Sequence, residues 1–178
     1  MQTPLDTAAW RQYLWRNTVT NAVTNALANG LICWLLFRDK TQLEFWNPSG
    51  GFALDLLITG FLLAVIVTLI LIPIQRKQLT ADSLAFEVLS APTPLTQALV
   101  TLTESYFRFV VLAASFGLIT AAATLLLLQT VSIHSFTPMH YSVFKGFWAG
   151  VFAGILAYLI INLTARRTFQ VPRDEDTL

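Results

Sequence analysis

The chain has 178 residues, enough for one compact domain and too few for two ordinary ones. It is 55% hydrophobic and 12% charged, with a mean hydropathy of +0.62, and so little charge cannot cover a water-facing surface. A net charge of +1 excludes a basic nucleic-acid binder, and a single cysteine, Cys33, excludes an internal disulfide, a CxxC redox pair and a Cys-based zinc site. The composition is that of an integral membrane protein.

The N-terminal stretch Leu5 to Trp15 sets Trp10, Tyr13, Leu14 and Trp15 among Arg11, Gln12 and Arg16, with Asp6 as an N-cap. That mixture predicts a short helix at headgroup depth with aromatic anchors. Four uncharged runs follow: Asn17 to Phe37, Leu56 to Gln75, Phe109 to Gln129 and Gly146 to Ala165. Each is about 20 residues, which at about 1.5 Å per residue crosses a hydrocarbon core roughly 30 Å thick. Lipid offers the backbone no hydrogen-bond partner, so spans of this kind are helical. The expected fold is an all-α bundle of four transmembrane helices, over about 17–37, 54–75, 107–129 and 144–165, in one domain. Ala26-Leu27-Ala28 has the form of a signal-peptidase site, but the Thr- and Asn-rich residues before it are no apolar h-region, so cleavage is not expected.

Eight Lys and Arg residues flank one side of these spans (Arg11, Arg16, Arg76, Lys77, Arg108, Arg166, Arg167, Arg173) and three the other (Arg38, Lys40, Lys145). That asymmetry predicts both termini and the loop 76–106 in the cytoplasm. Within the loop, Asp82-Ser83 opens a short helix to Leu89, and Thr93-Pro94 opens another that continues into the third span. Glu104 and Arg108 form an i,i+4 pair there. Outside lie the turn cluster Trp46 to Gly51 and the loop Ser132 to Tyr141. Trp10 and Trp15 on one side, and Trp34, Trp46 and Trp148 on the other, suit interface belts.

Polar chemistry inside the spans points to candidate residues. Asn17, Asn21, Asn25 and Asn29 recur every four residues and form one slowly drifting stripe about 18 Å long. An unpaired amide costs several kcal/mol in hydrocarbon, so the stripe should face helices or water, either as interhelical glue or as the lining of a solute path. Gly146, Gly150 and Gly154 form a GxxxGxxxG row, with Ala149, Ala153 and Ala157 beside it, and predict close helix packing. Lys145 belongs to that alanine row; it either snorkels to water or pairs with Asp55, whose neighbour one turn on is Thr59. Asn21, Asn25, Asn29, Asp55, Thr59 and Lys145 are thus the candidate path-lining residues. His134 and His140, with no Cys or Glu nearby, are a weak basis for a metal site, and neither metal nor cofactor is expected. No P-loop, HExxH, GxSxG or dinucleotide fingerprint occurs, no span carries a central carboxylate, and nothing calls for an enzyme.

The segments Asn21 to Gly30 leading to Trp34-Leu35-Leu36-Phe37-Arg38, Asp55 to Thr59, Leu71-Ile72-Pro73 with its basic exit, and Val143 to Gly150 resemble a family of small four-span bacterial inner-membrane proteins that carry a permease label. The resemblance covers about two-thirds of the chain and omits the cytoplasmic loop. It implies a bacterial inner-membrane location and transport of a small polar solute or ion. Four helices enclose little space, so a homo-oligomer or larger complex is expected if anything is conducted. The competing expectation is a non-transporting subunit whose glycine row and asparagine stripe are contact surfaces; a lipid- or quinone-modifying enzyme comes third.

Overall fold

The computed structural model describes residues 7–47, 51–81, 97, 98, 100, 101 and 105–170. Its elements are α1 (Thr7–Phe37), β1 (Leu43–Glu44), α2 (Phe52–Ala81), α3 (Tyr106–Thr130), β2 (Ser135–Phe136) and α4 (Pro138–Gln170). All four helices are long and apolar enough to cross a membrane, as the four uncharged runs predict. The chain is an all-α multi-pass membrane bundle. The expected helix from Asp82 to Leu89, the Thr93-Pro94 start of the second loop helix, the Asp6 cap and Glu104 lie outside the described residues; residues 97, 98, 100 and 101 are helical, but extended backbone at Ser105 starts α3 afresh, so that helix does not run on into the third span.

Residues 7–16, expected as a separate interfacial helix, are the first turns of α1 and run without a break into the first span. At its start, α4 takes in Met139, His140 and Tyr141, which the sequence places in a loop. Pro138 explains this: proline is pre-organised for the first helical turn, where no N–H partner is needed.

α4 is the centre of the bundle, with α1 and α2 on adjoining faces and α3 packed on α2. α3 also touches α4 through Trp148, whose indole N–H donates to Thr124 Oγ1 at 2.9 Å, and through stacked Phe116 and Phe152. Trp148 is therefore a buried packing residue and not part of an interface belt. Trp15, Trp34 and Trp46 remain exposed.

Two glycine contacts hold the helices close. A β-carbon on Gly146 would lie 2.8 Å from the Ala26 carbonyl oxygen, and one on Gly150 would lie 2.8 Å from that of Ala22. The predicted glycine row of α4 thus packs on a second small row, Thr18, Ala22, Ala26 and Gly30 of α1. Lipid gives helices no hydrophobic reason to associate, so this backbone approach supplies the packing energy. Independently, α2 and α3 cross at Gly60 and Gly117, where a β-carbon on either would strike the other's carbonyl oxygen.

Two local solutions to backbone satisfaction stand out. Pro73, inside α2, removes the N–H that would bond the Leu69 carbonyl; the Tyr106 hydroxyl of α3 donates to that carbonyl instead, at 3.1 Å. At the end of α3, Ser132 N–H donates to the Gln129 carbonyl and Ile133 N–H to that of Leu128, a Schellman closure in which Ser132 takes φ 59°.

At one end of the bundle β1 and β2 pair antiparallel, Leu43 with Phe136 and Glu44 with Ser135, tying the α1–α2 and α3–α4 connections together. Phe45, Phe52, Phe136, Tyr141 and Phe144 pack together beneath them, with Phe136 and Phe144 stacked and Phe52 edge-on to Phe45 and Phe136.

Candidate functional site

The asparagines sit at one edge of the α1–α4 seam. From residue 17 to 32, α1 is written in four-residue units: Asn-Thr-Val-Thr, Asn-Ala-Val-Thr, Asn-Ala-Leu-Ala, Asn-Gly-Leu-Ile. The second position of each unit packs on the glycine row of α4. The third (Val19, Val23, Leu27, Leu31) is exposed, and the first, asparagine, is half-buried. One flank of the seam is therefore aliphatic and faces outward, and the other is a column of amides.

α1 and α4 run antiparallel, so residues one before the contact row lie on the same side of the seam in both helices. On α4 those residues are Lys145, Ala149, Ala153 and Ala157, all buried. The asparagine column thus runs along the α2 side of the seam, beside this buried row of α4. Tyr13, four residues before Asn17, confirms the direction: its hydroxyl reaches across to α2, 2.5 Å from Gln75 Oε1 and 2.9 Å from Gln78 Oε1.

Each asparagine donates an amide N–H to the carbonyl four residues back: Asn17 to Tyr13, Asn21 to Asn17, Asn25 to Asn21 and Asn29 to Asn25, at 2.9–3.0 Å. None of the four carboxamide oxygens accepts a hydrogen bond from the described residues. The column is a ladder of acceptors, one per about 6 Å, each with a second N–H in reserve.

The end of this side of the seam beneath the sheet carries a buried ion pair. Lys145 Nζ lies 2.9 Å from Asp55 Oδ1 and 2.7 Å from Oδ2, and its side chain is 4% exposed. The Tyr141 hydroxyl lies 2.6 Å from Asp55 Oδ2 and 3.2 Å from the Phe52 carbonyl oxygen. Asp55 sits in the first turn of α2, where the helix dipole favours a carboxylate. Cys33, next on the column after Asn29, is fully buried against Ser142, whose hydroxyl donates to the Pro138 carbonyl at 2.7 Å. Tyr13 to Cys33 spans twenty residues, about 30 Å of rise, which matches the hydrocarbon thickness.

The chain matches no family model, no curated protein and no solved structure.

Among the residues expected to line a path, Asp55 and Lys145 meet each other, while Asn21, Asn25 and Asn29 form the ladder along α1. Thr59 is buried one turn below Asp55. The expected path-lining residues thus fall into two parts, an ion-paired end and a neutral ladder. Sequence reasoning passed over Tyr13, Gln75, Gln78, Cys33, Tyr141 and Ser142. A signal for Tyr13, Cys33 and Tyr141 was present, since each stands four residues from a residue already singled out. His140 lies on α4 and His134 in the preceding loop, and the described residues hold no cluster of three metal-ligating side chains.

Proposed function

We propose that the protein is a permease-like or channel-like protein of the bacterial inner membrane, passing a small polar solute or ion along the asparagine side of the α1–α4 seam. The observation that supports this is the amide ladder: four acceptors without a donor among the described residues, aligned over about 18 Å of a bilayer in which each would otherwise be costly. The resemblance to permease-labelled four-span proteins agrees with it, and the excess of basic residues beside the helix ends away from the β-bridge supports a cytoplasmic position for both termini. The Lys145–Asp55–Tyr141 cluster closes one end of the route and Tyr13 with Gln75 and Gln78 the other. No chemical step is assigned to the protein.

Purified protein reconstituted into liposomes and challenged with polar solutes and ions tests the reading. Flux above protein-free vesicles that falls on Asn25→Leu supports it, and absence of flux for every solute overturns it.

A second reading has its own observation. α1 buries only Leu14 and Cys33 among its described residues, so most of this helix needs cover from outside the protomer. On that reading the chain is a non-transporting subunit, and the amide edge with the aliphatic flank is where a second copy or a partner helix packs. Disulfide trapping of Leu27→Cys in a Cys33→Ser background, without any flux, would favour it.

A further inference from the structure

We infer that the groove between the first turns of α1 and the stretch 154–159 of α4 binds one phospholipid with an anionic headgroup, its phosphate at Arg11 and an acyl chain running inward to Gly154. The inference does not depend on whether the protein conducts anything.

The groove follows from how the seam ends. A β-carbon on Gly146 or Gly150 would lie 2.8 Å from an α1 carbonyl oxygen, but one on Gly154 would come no closer than 3.2 Å to any α1 atom. The two helices therefore part towards the start of α1 and leave a groove of about 630 Å³, within the roughly 300–1,000 Å³ of ordinary ligand pockets. Arg11 and Trp15 line it from α1, four and eight residues before Val19 in the same outward column, so the groove opens to lipid and not to the bundle interior.

Depth fits a lipid held in one leaflet. Tyr13 to Cys33 matches the hydrocarbon thickness, so Arg11 stands two residues, about 3 Å, beyond that boundary, at headgroup level. Gly154, facing Thr18 and Ala22, lies about 10 Å inside it. Between them Leu14, Ile155 and Leu159 give the groove apolar walls, and the exposed rings of Trp15 and Tyr158 suit the interface.

Charge selects the headgroup. Neither α1 nor α4 contains an Asp or Glu, while their ends here carry Arg11, Arg16, Arg166 and Arg167. Arg11 has no ion-pair or hydrogen-bond partner among the described residues. A guanidinium is built for bidentate recognition of phosphate. A phospholipid meets both demands, an anion for Arg11 and a chain for the apolar walls; free phosphate meets only the first, and a neutral lipid only the second. A second groove of about 630 Å³ lies further along the same flank, between Leu27 and Leu31 of α1 and Val143 and Phe147 of α4. No charged residue lines it, so it offers a place for a chain but no choice of headgroup.

The test equilibrates full-length protein in mild-detergent micelles with equal amounts of phosphatidylglycerol and phosphatidylcholine carrying the same chains, and counts retained lipid by native mass spectrometry. One basic residue at an anionic surface contributes about 1 kcal/mol, so phosphatidylglycerol should be retained about fivefold over phosphatidylcholine. Arg11→Gln should bring that ratio close to one. Arg16→Gln, which removes a cation of the same helix outside the groove, should leave it largely intact. Ile155→Trp, which fills the groove from its exposed wall, should remove one bound lipid while Cys33 stays protected from maleimide as a sign of the native fold. Equal retention of the two lipids by the parent overturns the headgroup assignment. Displacement of phosphatidylglycerol by inorganic phosphate overturns the lipid in favour of a free anion. A loss of preference in Arg16→Gln as large as in Arg11→Gln overturns the site in favour of diffuse attraction.

Discussion

Lys145 and Asp55, ninety residues apart in the chain, meet at 2.7 and 2.9 Å and join α4 to α2 at the sheet end of the bundle. An ammonium this deeply buried is tolerable because its counter-ion is held in turn by Tyr141. Removing one partner leaves the other uncompensated. Lys145→Met and Asp55→Leu should therefore each cost about 3 kcal/mol, and the double variant less than their sum. Reversible unfolding in mixed micelles measures all three; strict additivity would mean that the pair does not act as a unit.

Gly150 makes the tightest contact of the α1–α4 seam, since its missing β-carbon would fall 2.7 Å from Ala26 Cβ. Gly150→Ala should push α1 off α4 at a cost of about 1–3 kcal/mol, the usual range for overpacking. The native thiol reads this out directly. Cys33, fully buried in the native protein, should react with a maleimide much faster in Gly150→Ala than in the parent.

Tyr106 and Pro73 make a two-residue prediction. Tyr106→Phe strips the Leu69 carbonyl of its donor and should cost about 1 kcal/mol. In a Pro73→Ala background the restored backbone N–H takes that carbonyl, so Tyr106→Phe should then cost close to nothing. A thermodynamic cycle over the four proteins checks this, and an unchanged cost in the alanine background would refute it.

Ser132 occupies the left-handed position of the Schellman closure after α3, where glycine is the usual residue. Ser132→Gly should stabilise by roughly 0.5 kcal/mol, and Ser132→Val should destabilise by about 1 kcal/mol or more, because a β-branched side chain is strained at positive φ. Thermal unfolding of the two variants should move in opposite directions.

Much of this arrangement was legible from composition and spacing. The four apolar runs locate the spans because hydrocarbon allows the backbone no other solution, and Gly146, Gly150 and Gly154 announce a close contact. What they contact was hidden: the small row Thr18, Ala22, Ala26 and Gly30 stands one residue from the asparagines, whose polarity draws the eye first. Gly60 and Gly117 are single residues in otherwise apolar helices, and no spacing pairs them. Trp148 reads as an interface anchor because sequence shows depth but not which face of α4 meets α3. The β-bridge rests on two residues per strand, too few to leave a periodic trace. Asp55 and Lys145 could be paired in advance, since both begin helices at one end of the bundle and carry opposite charge. Tyr141 could not, once the start of α4 had been set beyond it.

The four-residue units of α1 have a mechanical corollary. A helix whose faces repeat every four residues can slide by one unit, about 6 Å, and offer α4 similar chemistry at each tooth, like a rack against a pinion. On the contact face within residues 17–32 only the taper from Thr18 through Ala22 and Ala26 to Gly30 tells one tooth from the next. Register is set at the unrepeated extremities, by Tyr13 on Gln75 below and by Cys33 and Phe37 against Ser142 and Tyr141 above. These stops, together with the taper of the contact row, determine which rung stands opposite which glycine.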